Sequence, residues 1–241
     1  MIEILSRSRE ERSLTQLRQE AAFNLSTTYR IIHALKSRGY VEQNPINSKW
    51  KLSFKLFEIG NTVVQNVTLR EEAPPILSKL ANVPGESTYL MVLDQDEAVC
   101  LGRIDGHHMV KNIILQVGGR LPLHIGAGPK VLLSSLPEEE INRIIKSKRL
   151  PKMTKKTITD SNRFEKGIEK IGRNGYAFSF EDVVEDGAAL GCPIKDWKGR
   201  VVGSISISGI STHLKRDKLP RLINIVKICA RELSQRMKAP S

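Results

Sequence analysis

Residues 13–39, SLTQLRQEAAFNLSTTYRIIHALKSRG, hold two short amphipathic runs that meet at a tight break. The first run places Leu14, Leu17, Ala21 and Ala22 on one face at helical spacing. Ser13 precedes it as an N-cap, because a serine hydroxyl accepts from an otherwise unpaired helix N–H. Phe23-Asn24-Leu25 interrupts the pattern, and Ser26 is positioned to cap a second helix. In that helix Tyr29, Ile32 and Leu35, with Ile31, are expected to form the buried stripe. Ser26, Thr27, Thr28, Arg30, His33 and Lys36 fall on the opposite side. Gly39 ends the helix as a residue that tolerates the left-handed conformation.

This pattern reads as a helix-turn-helix, in which the second helix lies in a DNA major groove and its polar residues face bases and phosphates. The residues after Gly39 extend the reading. Tyr40–Gln43, the turn Pro45–Ser48 and Lys49–Leu52 spell strand, turn, strand. Lys49 and Lys51 alternate with Trp50 and Leu52, so one face packs on the helices while the other meets phosphate. Such a wing, in register directly after the second helix, separates this segment from a plain helical hairpin with a solvated basic face.

With 241 residues the chain has room for one large domain or two modest ones. A hydrophobic fraction of 40% with 27% charged residues describes an ordinary soluble protein with a core. The formal net charge of +12 suits a polyanionic partner, double-stranded DNA. Residues 1–69 carry 10 Lys/Arg against 6 Asp/Glu, so the motif argues for DNA more strongly than the charge does. Cys100, Cys192 and Cys229 are too far apart for metal-ligand spacing and point to a reducing compartment. No secretory leader or membrane-spanning run is evident, so a cytoplasmic protein without membrane contact is expected.

Outward from the winged segment, Ile2, Ile4 and Leu5 begin a first helix. Phe54 through Leu69 form a connecting helix that contains Gly60. Pro74-Pro75 then open a helix through Ile76, Leu77, Leu80 and Ala81. Strands are expected at 87–93, 98–103, 110–117 and 201–209, and helices at 130–136, 138–146, 160–174 and 219–237. Their irregular alternation, with hairpin turns, predicts a mixed α/β (α+β) domain built on an antiparallel sheet.

Three stretches of this second part bear on chemistry. In Leu121–Lys130, LPLHIGAGPK, small residues lead into a helix whose first turn holds Pro129. Backbone N–H groups at such a start attract an anion, and a tight loop that needs glycine for its backbone angles gives the same pattern. Ser204, Ser206 and Ser208 alternate with Ile205 and Ile207, giving a serine face that either meets solvent or lines a polar cavity. Glu181–Pro193 is an acidic loop that enters an apolar strand. Enzymatic signals are poor. His107, His108 and His124 lack a second ligand cluster, and no nucleophile elbow, phosphate loop or dinucleotide fingerprint occurs. No catalytic residue, metal or cofactor is assigned.

Taken together, the winged segment, linker helix, LPLHIGAGPKVLLSSLPEEE, TKKTITD, NGYAFSFED and GRVVGSISISG resemble, in order, the IclR family of bacterial transcriptional regulators. The resemblance spans essentially the whole chain. It implies a winged DNA-binding domain (1–53), a linker helix (54–69) and an effector-binding domain of GAF/profilin-like fold (70–241). It also implies a homodimer or homotetramer paired through the DNA-binding domains. DNA contacts would come from Ser26, Thr27, Thr28, Arg30, His33, Lys36 and Lys49. Carried over by motif, the effector pocket would be lined by Ala127, Gly128, Ser179, Glu181, Ala189, Ser206 and Ser208, with Val110 and Ile113 on its apolar wall. Two departures stand out: Ala189 replaces the cysteine of many members, and Pro129 precedes Lys130 where the family favours glycine. The expected function is a repressor whose operator affinity responds to a small carboxylate effector. The competing expectation is a small-molecule-binding protein or enzyme that uses its winged domain for protein interaction.

Overall fold

The computed structural model describes residues 1–7, 10–65, 68–107, 115–147, 150–214 and 217–237. The chain divides into two compact units, residues 1–67 and 68–241.

In the first unit, α1 (Ile2–Ser6), α2 (Leu14–Ala21) and α3 (Leu25–Ser37) precede a hairpin of β1 (Val41–Gln43) and β2 (Trp50–Leu52), and α4 (Phe54–Gln65) follows. Ser13 caps α2 in a full capping box: its hydroxyl accepts from the Gln16 amide while the Gln16 side chain accepts from the Ser13 amide. Ala22, in the left-handed region at φ 54°, turns the chain out of α2. The second helix starts earlier than the sequence suggests. Asn24, not Ser26, is its cap, accepting from the Thr27 amide at 2.8 Å, because Leu25 already has helical geometry. Gly39, at φ 74°, closes α3 with the paired bonds Gly39 N–H to Lys36 O and Tyr40 N–H to Leu35 O. A small core of Leu5, Leu17, Ile32, Val41 and Trp50 joins the three helices to the hairpin.

The second unit opens with α5 (Thr68–Asn82), which contains Pro74 and Pro75 instead of being opened by them. Each proline withholds an i→i−4 donor, and the buried face of Ala73, Ile76, Leu77, Leu80 and Ala81 holds the helix in place despite that loss. The remaining elements are β3 (Ser87–Asp94), β4 (Glu97–Ile104), β5 (Arg120–Pro122), α6 (Ala127–Leu133), α7 (Glu138–Ser147), α8 (Ser161–Asn174), β6 (Ala177–Phe180), β7 (Gly187–Lys195), β8 (Val201–Ile210) and α9 (Leu219–Arg236). The six strands form one sheet in the order β5-β4-β3-β8-β7-β6, with every neighbouring pair antiparallel. The fold is thus of the expected mixed class. Of the strand expected at 110–117, residues 110–114 lie outside the described residues and 115–117 are not strand; the short edge strand is β5. No helix among the described residues is long and apolar enough to cross a membrane.

Candidate functional site

The winged unit offers one face of α3 together with the β1–β2 hairpin. Ser26, Arg30, Lys36 and Lys49 are exposed there, and Thr27 and His33 are half-buried. Thr28 and Tyr29 exchange the places expected of them. Thr28 is fully buried in line with Ile32, and its hydroxyl donates to Asn24 O at 2.9 Å, so the burial leaves no polar group unpaired. Tyr29, at 52% exposure, points outward beside Leu25 at 53%. The cause is helical geometry: residues 28, 32 and 35 lie closer to one line than 29, 32 and 35 do. A methyl-bearing hydroxyl that bonds its own preceding turn can therefore replace an aromatic ring on the buried side.

The hairpin is fixed to the helices by a carboxylate and by backbone. Arg12 and Trp50 exchange two main-chain hydrogen bonds, adding a bridge beside β2. The Glu11 carboxylate accepts from the side-chain amides of Asn44 (3.0 Å) and Asn47 (2.8 Å). Those bonds, from Asn47 first, hold its pKa below the usual carboxylate value. Asn47 in turn accepts from the Lys49 amide at 2.9 Å, and Asn44 from the Ile46 amide at 2.9 Å. The turn is thus built by side chains, with Ile46 left 94% exposed at its tip.

In the second unit a cavity of about 270 Å³ opens between the sheet and the start of α6. Tyr89, Met91, Leu121, Pro129, Met153 and Val183 give it apolar walls. Ala127, Gly128, Ala189, Ser206 and Ser208 of the expected set all line it. The serine face of β8 therefore looks inward, and Ser206 lies only 4% exposed. Glycines let α6 approach so closely: a methyl on Gly128 would stand 3.2 Å from Ser204 Oγ and 3.4 Å from Ser206 Oγ. Burial pushes the Tyr89 phenol above its ordinary pKa, so it stays a neutral hydroxyl beside the cavity at physiological pH.

Other expected residues lie elsewhere. Ser179 is buried and donates to Asp182 instead of lining this cavity. Glu181, at φ 53°, is outside that lining and serves the loop through its backbone: its N–H donates to Gly187 O at 2.6 Å. Val110 and Ile113 fall outside the described residues. The carboxylate that the acidic loop does bury is Asp182, in an ion pair with Lys130 at the base of α6 and within 3.4 Å of the Gly126 amide. Thr157 donates to the Asp182 carbonyl at 2.9 Å. Sequence reading missed this network, although one Lys inside an apolar helix and one acid followed by Val-Val were its traces.

Residues 61–235 match the family described as "Bacterial transcriptional regulator IclR C-terminal", and residues 1–45 match the "IclR helix-turn-helix domain". The chain belongs to the IclR family. Among its relatives, the HTH-type transcriptional regulator KdgR of Escherichia coli is 29% identical over 97% of this chain and 89% of its own length. The HTH-type transcriptional repressor AllR of Escherichia coli is 29% identical over 97% of this chain and 86% of its own. The crystal structure of an IclR homolog complexed with 4-hydroxybenzoate, from Microbacterium hydrocarbonoxydans, superposes with a TM-score of 0.84 at 24% identity. It covers 95% of this chain and 92% of that one.

Among its described residues, this IclR-family regulator keeps His124 and two of its cysteines in unreactive forms. His124 is 4% exposed, bonds Pro151 O through Nε2 at 3.0 Å and is held below its ordinary pKa by burial. Burial pushes the thiols of Cys100 and Cys192 up to about 11 and about 12, far from a reactive thiolate. Among the described residues no group of three His, Cys, Asp or Glu side chains could hold a metal ion.

Proposed function

We propose that this IclR-family regulator is a cytoplasmic repressor that binds operator DNA through α3 and the β1–β2 wing and responds to a small carboxylate. The observation that carries the effector reading is the cavity under α6, where two inward serines meet apolar walls. A carboxylate placed there takes hydroxyl donors from Ser206 and Ser208 and backbone donors around Ala127 and Gly128, while Ala189 and Met91 enclose its apolar part. Pro129 supplies no N–H, which shifts the binding towards the serines. The family neighbour solved with 4-hydroxybenzoate supports an organic acid of this size, and AllR supports repression.

On the DNA side, Arg30 and Lys36 serve as contacts from α3 and Lys49 as a phosphate contact from the wing. Two winged units related by a two-fold axis read two half-sites, which calls for a homodimer or homotetramer. Effector occupancy changes operator affinity to the extent that ligand prefers one arrangement of that oligomer.

Purified protein, genomic fragments and a panel of small carboxylates test the whole reading. Selected fragments should share a pseudo-palindromic site. Ser206→Ala with Ser208→Ala should weaken carboxylate binding at least about tenfold while ligand-free operator affinity is retained. Tight binding by the double variant would remove the cavity assignment, and binding without any change in operator affinity would remove the switch.

A further inference from the structure

Along the outward ridge of α3, Leu25, Tyr29 and His33 follow one another at i, i+4 and i+8, with Leu25 and Tyr29 more than half exposed. The rings form a stack. Tyr29 and His33 have centroids 4.0 Å apart at 34°, and His33 meets Trp50 edge-on at 5.4 Å. Trp50 is itself 2% exposed, and the Lys36 ammonium lies 5.5 Å from the centre of its ring. A large exposed aromatic ring is therefore held from behind by a half-buried one, which rests on the core of the wing.

Resting on the winged-domain reading above, we propose that Tyr29 reads sequence by laying its ring against the 5-methyl group of a thymine in the major groove. His33 acts as a positioning residue that fixes the ring's direction. Three features of the site favour this occupant. Cationic Arg30 and Lys36 lie on the same helix, so a polyanion is drawn to this face. An apolar side chain on a groove-facing helix has one apolar partner on base edges, the thymine methyl. The stack removes rotamer freedom before binding, so less of it is lost on contact.

The test removes that methyl from the DNA. Duplexes are selected from a random library with the full-length wild type, and each thymine of the selected site is then replaced singly by deoxyuridine. At one thymine per half-site the replacement should weaken wild-type binding about fourfold. Tyr29→Phe keeps the ring and should keep both affinity and the fourfold effect. Tyr29→Ala should lose about tenfold and show no further loss with deoxyuridine. His33→Ala should shrink the deoxyuridine effect, and His33→Phe, which keeps a ring between Tyr29 and Trp50, should restore it. The exposure of Tyr29 leaves folding intact, to be checked by thermal melting of each variant. The proposal is overturned if no deoxyuridine matters to the wild type, or if Tyr29→Ala binds the selected site unchanged. A loss in Tyr29→Phe equal to that in Tyr29→Ala also overturns it, by making the hydroxyl the contact. A wild-type protein that selects no site at all brings down the DNA-binding reading itself, and this proposal with it.

Discussion

Ala22 occupies the left-handed region that usually belongs to glycine, and it does so in the turn between the two helices that present the DNA-facing side. An L side chain there costs roughly 1 kcal/mol relative to a conformation it prefers. Ala22→Gly should therefore stabilise the winged unit by up to about 1 kcal/mol, less the extra chain entropy that glycine brings to the unfolded state. Slower hydrogen exchange at Leu17 and Ile32, both fully buried, would register it. His124 supplies a second residue-scale prediction. Its folded pKa lies below the ordinary value near 6.5, so the folded form resists a proton that the unfolded chain accepts. Its contribution to stability is complete above pH ~6.5 and is lost as pH falls through the lower folded value. His124→Gln, which retains a donor for Pro151 O, should flatten the acid side of the stability curve below about pH 6.5. An unchanged acid slope would place the titration elsewhere.

At the level of elements, the approach of α6 to the sheet depends on glycine at two points. Gly128 faces Met91 and the serines, and a methyl on Gly191 of β7 would stand 3.1 Å from the backbone of Ala127 and Gly128. Backbone cannot step aside as a flexible side chain does. Gly191→Ala should therefore destabilise the second unit by about 1–3 kcal/mol in urea unfolding and lower carboxylate affinity with it. Ser13→Ala, which removes one half of the capping box on α2, should cost the winged unit about 1 kcal/mol. Much at this level was legible in the sequence. Helical spacing with Ser13 as its cap located α2, the sequence pattern located α7, α8 and α9, and the alternation of serine with isoleucine located β8. What escaped depended on partners distant in sequence. Burial of Thr28 follows from a bond to Asn24 O that no hydropathy scale registers. The inward turn of the serines required a helix from another part of the chain to cover them. The Lys130–Asp182 pair joins residues 52 positions apart.

Across the whole molecule, each unit has its own core, and the two carry different tasks in the proposed function. A bound carboxylate should accordingly raise the melting temperature of the unit that contains the cavity, with a shift that grows with ligand concentration. Calorimetry resolving the transitions would show this, and an equal shift for both units would tie their stabilities together. The net charge of +12 adds a salt dependence common to any duplex, whereas discrimination between sites rests on contacts with base edges. Arg30→Ala should thus reduce operator affinity more than affinity for random DNA if its guanidinium reaches a base, and equally if it reaches phosphate. Sedimentation with operator present tests the symmetric oligomer, which a persistently monomeric protein would rule out. At this scale the motif order pointed to the right family, yet periodicity alone gave no sign of how large the cavity is.

The clamp between Glu11 and the wing has a bearing on how the protein ages. Asn47 is followed by Ser48, a small residue whose backbone amide can attack the neighbouring side chain, and slow loss of ammonia would convert Asn47 to aspartate or isoaspartate. The amide now donating to Glu11 at 2.8 Å would become a second carboxylate facing the first. Like charges at that distance repel, and the wing turn would be pushed away from its anchor. Stored preparations should then lose operator binding in step with a one-dalton gain in the peptide containing Asn47, ahead of any loss of carboxylate binding.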